Sequence, residues 1–95
     1  MCVWIEEIAL QESDYYNVRV SELKARNNSR VVSFPRQVAM YLAKKMTNCS
    51  YPDIGKRFGG KHHSTVIHSV NKISAEAAKS QEFQDLLARF QEQIQ

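Results

Sequence analysis

The chain has 95 residues, of which 43% are hydrophobic and 24% are charged, and its formal net charge is +3. This length allows one small domain with one modest core and leaves no room for a nucleotide-binding α/β domain beside it. No apolar run approaches the roughly 20 residues of a membrane span. The start turns acidic at Glu6 and has no basic segment, which excludes a secretory or transit peptide.

The charge is unevenly distributed along the chain. Between Lys24 and Lys72 stand ten Lys or Arg residues and one acid, Asp53, so this middle segment carries +9. The two flanks hold three basic and nine acidic residues and carry −6. A basic middle between acidic flanks indicates a face that attracts a polyanion, and a solvated basic surface without a partner is the alternative.

The two cysteines, Cys2 and Cys49, match no metal-ligand or redox spacing. Thiols in a reducing cytosol usually stay unbridged. We therefore expect two free thiols in a cytoplasmic protein.

Few glycines and prolines, and no long alternation of apolar and polar residues, predict an all-α fold. We expect a compact domain of about six helices containing a helix-turn-helix. A first helix is predicted over 3–16 and a brief one over 22–24, capped by Ser21. A polar basic loop is predicted over 25–33.

The next predicted helix opens at Ser33, because serine suits an N-cap and Pro35 suits a first helical turn. It ends at 47–49. Ser50 and Asp53 form the S-x-x-D pattern of a capping box, which predicts another helix start.

That helix should end at Gly59 and Gly60, because glycine reaches the left-handed conformation that closes a helix. A new helix is predicted from His62 or His63, with an apolar stripe of Val66, Val70, Ile73 and Ala77. A last amphipathic helix over 81–94 is typical of packing.

Two helices joined by a tight glycine turn, the second entered through small polar and basic residues, describe a helix-turn-helix. In this motif the first residues of the second helix meet base edges in the major groove of DNA. Lysine can donate to guanine, a hydroxyl can donate or accept, and a threonine methyl can pack on thymine. A plain structural hairpin is the alternative. The candidate base-contacting residues are Lys61, His62, His63, Ser64 and Thr65.

Residues 54–66 read I-G-K-R-F-G-G-K-H-H-S-T-V. They resemble the signature I-G-x-x-F-G-G-R-D-H-[ST]-T-V of the C-terminal DNA-binding domain (domain IV) of DnaA, the bacterial chromosomal replication initiator. Residues 35–43 are similar to the family's P-R-Q-x-A-M-x-L, and residues 14–23 to its E-Y-Y and V-x-D-L. The resemblance covers residues 3–75 without a gap.

The resemblance implies sequence-specific binding of double-stranded DNA at DnaA boxes, near TTATCCACA, for initiation and regulation of chromosomal replication. It implies a recognition helix in the major groove and a basic loop in the adjacent minor groove. Residues 1–16 would be a linker helix and residues 17–95 the DNA-binding domain. ATP would bind an AAA+ domain absent from this chain, so we expect no cofactor and no catalysis here. We expect a monomeric isolated domain at the nucleoid, without membrane contact and with regulatory proteins as further candidate partners.

Carried over one residue at a time, His63, Ser64 and Thr65 match the family's base-contacting positions. Lys61 stands where the family has arginine, which alone offers a bidentate fork. His62 stands where the family has aspartate, an acceptor for cytosine. These two departures concern the DNA sequence that is read.

The minor-groove arginine of the family falls on Asn28 in a gapless alignment, and Arg26 or Arg30 could replace it by a small shift. Arg36 and Lys44 match phosphate-contacting positions. By location, Tyr51, His68 and Lys72 are further candidates for phosphate contacts.

Rival sites fit the sequence poorly. Residues 55–62 nearly match a P-loop, but His62 replaces the hydroxyl that would bind magnesium, and no strand precedes them. His63 and His68 do not share a helix face well, so no metal site is expected. Ser64 beside His63 lacks a third catalytic group. Two other functions stay open, namely docking of an acidic regulator through the basic face, and transcription or transposition control by a DnaA-like domain.

Overall fold

The computed structural model describes residues 5–26 and 29–94. Within these residues the chain forms helices and no strand, which confirms the all-α fold and the number of helices. The helices are α1 (Ile5–Tyr16), α2 (Val20–Leu23), α3 (Arg30–Met46), α4 (Tyr51–Arg57), α5 (His63–Lys79) and α6 (Gln81–Ile94). In the described ranges, no helix is both long enough and apolar enough to cross a membrane.

The core lies where α3 packs against α5 on one side and α1 on the other. Leu42 of α3 and the α5 residues Val66 and Ile73 are fully buried there. Helix α6 covers the end of this core with Leu87 and Phe90. Because α5 packs along its apolar stripe, the core fixes the position of its first turn.

Helix α1 shares this core. Ile5, Ile8 and Ala9 are fully buried, and the helix packs along α3. The predicted start of this helix at residue 3 lies outside the described residues, and its predicted end at Tyr16 is confirmed. The division of the chain into a linker helix and a domain after residue 16 stays a prediction.

The start of α2 differs from the prediction. The helix begins at Val20, and Glu22 Oε1 accepts a hydrogen bond of 2.9 Å from the Arg19 backbone N–H. The predicted cap at Ser21 is therefore wrong, because the acidic side chain of the first turn satisfies the exposed N–H instead.

The start of α3 also differs. The helix begins at Arg30, and the Ser29 carbonyl accepts from the N–H groups of Val32 and Ser33 at 3.0 and 2.8 Å. The prediction of Ser33 as the N-cap is wrong, and Pro35 lies inside the helix. Proline removes the hydrogen bond to the carbonyl four residues earlier. That carbonyl belongs to Val31, a residue that is 71% exposed.

The other helix boundaries confirm the sequence signals. Thr47 Oγ1 donates to the Ala43 carbonyl at the end of α3, and Ser50 Oγ accepts from the Asp53 N–H at the start of α4. After α4, Gly59 and Gly60 adopt φ angles of +84° and +74°. Helix α4 therefore ends and α5 begins within a few residues of each other.

Cys49 is buried and disulfide-bonded, so the expectation of a free thiol at this position is wrong. Cys2 lies outside the described residues.

Candidate nucleic-acid interface

The turn between α4 and α5 is built on close backbone contacts. The Lys61 N–H donates to the Gly55 carbonyl at 2.8 Å. A Cβ atom at Gly55 would collide with the Lys61 carbonyl oxygen, and one at Gly59 would collide with the Lys24 carbonyl oxygen. Glycine at these two positions therefore lets the turn lie directly on α4 and on the segment that follows α2.

The start of α5, residues 61–65, is called the head below. His62 is its N-cap: Nδ1 accepts from the Ser64 N–H at 3.2 Å, and the carbonyl accepts from the Thr65 N–H at 3.0 Å. An imidazole nitrogen accepts a hydrogen bond only when it carries no proton. Neutral His62 therefore caps the helix in place of the family's aspartate. Residues 62–65 are all exposed.

A groove of about 490 Å³ opens beside the head. The segment after α2, the face of α3 and the glycine turn form its walls. The described residues that line it include no carboxylate, so the groove attracts anions. These residues are Arg26, Ser33, Arg36, Gln37, Gly59, Gly60, Lys61, His62, Thr65 and Ser69.

Arg36 lies under this groove and is only 5% exposed. Its Nε donates to the Leu23 carbonyl at 2.8 Å, and its Nη2 donates to the carbonyls of Glu22 and Ala25, each at 3.1 Å. Burial lowers the pKa of the guanidinium. Arg36 thus clamps the end of α2 and the next residues onto α3.

Lys61 reaches the same segment from the other side. Its Nζ donates to the Ala25 carbonyl at 2.7 Å. Partial desolvation, followed by the nearby Arg36 and Arg26 charges, lowers the pKa of Lys61. Three cations from separate parts of the sequence therefore gather around one stretch of backbone.

The turn, head and groove agree with the comparison to known families. The profile described as bacterial DnaA protein helix-turn-helix matches residues 5–73. The chain belongs to this family. The match extends from α1 into α5, so it includes the turn, the head and Arg36.

Three relatives are each named chromosomal replication initiator protein DnaA. The protein of Magnetococcus marinus is 40% identical over 93 residues, that of Geotalea daltonii 37% over 92, and that of Geobacter metallireducens 48% over 71. These alignments cover 98%, 97% and 75% of this chain, but 21%, 21% and 16% of the relatives. The chain thus spans about a fifth of the length of the first two DnaA proteins.

The predicted phosphate-contacting residues of this DnaA-type domain lie in different parts of the structure. Arg36 lines the groove, whereas the other four candidates do not. Lys44 is half-buried, with Nζ 3.3 Å from the Cys49 carbonyl and 4.5 Å from the centre of the Tyr51 ring. His68 is exposed and Lys72 is half-buried, both on α5.

Across the described residues, no three His, Cys, Asp or Glu side chains gather in a way that could hold a metal ion.

The predicted minor-groove residues also occupy different places. Arg26 is exposed and lines the groove. Arg30 is the first residue of α3, and its guanidinium lies 5.6 Å from the centre of the Phe34 ring. The loop between α2 and α3 is therefore shorter than predicted. Asn28 lies outside the described residues.

Sequence reasoning missed three polar residues of the groove, Ser33, Gln37 and Ser69. Gln37 Oε1 is buried and has no hydrogen-bond partner among the described residues. A usable signal was present, because Ser33, Arg36 and Gln37 stand at i, i+3 and i+4 and so share one face of α3.

Proposed function

We propose that this chain binds double-stranded DNA and reads DnaA boxes at the bacterial replication origin, in the initiation and regulation of chromosomal replication. The observation that carries the proposal is the head at the start of α5. Its residues 62–65 are exposed, and it lies beside a groove whose described lining has no carboxylate. Membership of the DnaA helix-turn-helix family and the name of the relatives support it. Such a role would be exercised at the nucleoid, in the cytoplasm.

The head would enter the major groove. Ser64 and Thr65 offer hydroxyls, the Thr65 methyl can pack on a thymine, and His63 offers a ring edge. The positive end of the helix dipole favours a phosphate at the same place. The segment holding Arg26 and Arg30 would follow the adjacent minor groove.

Phosphate contacts would supply most of the affinity, and base contacts would supply the choice of sequence. Lys44, Tyr51, His68 and Lys72 are our candidates for the phosphates. Arg36 would reach a phosphate only through the groove, since its Nε and Nη2 already hold backbone carbonyls.

His62 should shift the preferred box. In the family an aspartate at this position could accept from a cytosine. Here Nδ1 is occupied by the Ser64 N–H, and Ser64 Oγ lies 2.8 Å from the same nitrogen. We therefore expect a box that departs from TTATCCACA at the base pair facing His62, and we expect His62→Asp to restore the family preference.

Selection of bound duplexes from a random pool, followed by titration on the selected and a scrambled duplex, tests the proposal. Thr65→Ala should lose on the order of 1–3 kcal/mol on the selected box and little on the scrambled duplex. Ser74→Ala removes an exposed hydroxyl from the opposite face of α5 and is the matched control. Absence of a selected sequence, or equal losses on both duplexes, would overturn the base-reading role. Capture of an acidic protein without DNA binding would instead favour the docking function.

A further inference from the structure

We propose that Lys61 is a positioning residue that fastens the segment after α2 to the head, so that the two DNA-facing parts approach as one unit. The proposal rests on the DNA-binding function proposed above. It changes the expected role of Lys61, which the family resemblance places among the base contacts.

The carbonyls of residues 22–25 carry the argument. Those of Glu22 and Leu23 accept from Arg36, and that of Lys24 lies against Gly59. The Ala25 carbonyl accepts from both Arg36 Nη2 and Lys61 Nζ. Three of these four successive carbonyls thus accept hydrogen bonds from Arg36 or Lys61, and the Ala25 carbonyl accepts from both.

Electrostatics give Lys61 a specific task. The Arg36 and Arg26 charges lie close enough to Lys61 to disfavour its charged form, after the larger effect of desolvation, and like charges repel. A charge-assisted hydrogen bond to a carbonyl opposes that repulsion before any phosphate arrives. Removing the Lys61 ammonium therefore removes the hydrogen bond between residue 61 and the segment, while the Lys24 carbonyl still lies against Gly59 and Arg36 still ties the segment to α3.

Positioning and direct base reading differ in how Lys61 should couple to the segment. If Lys61 acts through the segment, losing Lys61 and losing a DNA contact on that segment affect the same binding step, and their effects overlap. If Lys61 reads a guanine directly, the two losses are independent and multiply. Lys61→Met removes the donor and keeps the chain length, whereas Lys61→Arg keeps a charged donor.

The first measurement uses the full chain without DNA. The Ala25 N–H donates to the Glu22 carbonyl at 3.2 Å, so its hydrogen exchange reports on the segment. Lys61→Met should speed this exchange about fivefold, equivalent to one ordinary hydrogen bond, and Lys61→Arg should restore most of the protection. Lys56→Met, an exposed lysine of α4 with the same change of charge, is the control and should leave the exchange unchanged. Unchanged Ala25 exchange in Lys61→Met would overturn the proposal whether or not the chain binds DNA.

The second measurement is a double-mutant cycle on the selected duplex. Lys61→Met should weaken binding about tenfold in the parent chain, but only about twofold when Arg26→Ala is already present. Lys61→Arg should bind nearly as the parent does. Losses that multiply fully across the cycle would refute positioning and return Lys61 to base reading. Failure of the parent chain to bind any duplex would refute the proposed function, while the exchange result would still decide the fastening by Lys61.

Discussion

Glu12 should make the stability of this domain fall as pH rises. The side chain lies on α1, is fully buried, and has no hydrogen-bond partner among the described residues for either carboxylate oxygen. Burial raises the pKa of Glu12 to about 8. Tyr16, one turn further along α1, has its pKa raised by burial, then by Glu12 and Tyr15, so it stays neutral in the same range and offers no compensating positive charge.

The size of the effect follows from proton binding. Between the ordinary pKa of 4.5 and about 8, the folded chain keeps a proton on Glu12 that the unfolded chain has released. The free energy of unfolding then falls by about 1.4 kcal/mol per pH unit. The free energy of unfolding keeps its full value below pH 4.5. Above pH 8 it has fallen by up to about 5 kcal/mol, which is an upper limit because a buried site can relax or admit water.

Urea unfolding followed by helical circular dichroism from pH 5 to pH 9 checks this reasoning. Glu12→Gln keeps the shape and cannot ionise, so its stability should approach the parent's at pH 5 and exceed it by about 2–5 kcal/mol at pH 9. Glu7→Gln, an exposed position on the same helix, should follow the parent at every pH. Parallel profiles for the parent and Glu12→Gln would show that Glu12 is not held protonated by the fold.

Four further substitutions address the glycine turn, the clamp and the phosphate contacts. Gly60→Ala should cost about 1–2 kcal/mol for its left-handed backbone alone, whereas Gly59→Ala should cost distinctly more because its Cβ also meets the Lys24 carbonyl; equal shifts in thermal unfolding would contradict this. Arg36→Met removes three hydrogen bonds to backbone carbonyls and should lower the free energy of unfolding by at least about 2 kcal/mol in urea titrations, so parent-like stability would refute the clamp. Lys44→Met should reduce the slope of log affinity against log salt by about 0.9 without changing the selected sequence, and an unchanged slope would remove Lys44 from the phosphate contacts.

Local chemistry explains which parts of the fold the sequence could predict. The cap at Ser50, the glycine turn and the apolar stripe led by Val66 involve residues within a few positions of each other, so the α4–α5 unit was predicted with its correct boundaries. The start of α3 was misjudged because Pro35 usually marks a first turn. Here the proline lies deeper in the helix, and the carbonyl that loses its partner belongs to the exposed residue Val31.

The candidate site was predicted only in part for a different reason. The exposed head follows from the position of residues within one helix, but the partner of a long cationic side chain depends on tertiary contacts. Nothing near Arg36 in sequence indicates that it would be buried and hold carbonyls 11 to 14 residues earlier. The same holds for Lys61, whose acceptor is 36 residues away.

The contacts to the carbonyls of residues 22–25 involve main-chain oxygens. They therefore do not depend on the side chain of every residue in this stretch. Along this stretch only Leu23 has its side chain in the interior. Glu22 also accepts from the Arg19 N–H and Lys24 pairs with Glu6, whereas the exposed Ala25 side chain can be exchanged while its carbonyl keeps its contacts. The attachment of this stretch to the helices beneath it can therefore stay the same when an exposed side chain on it changes.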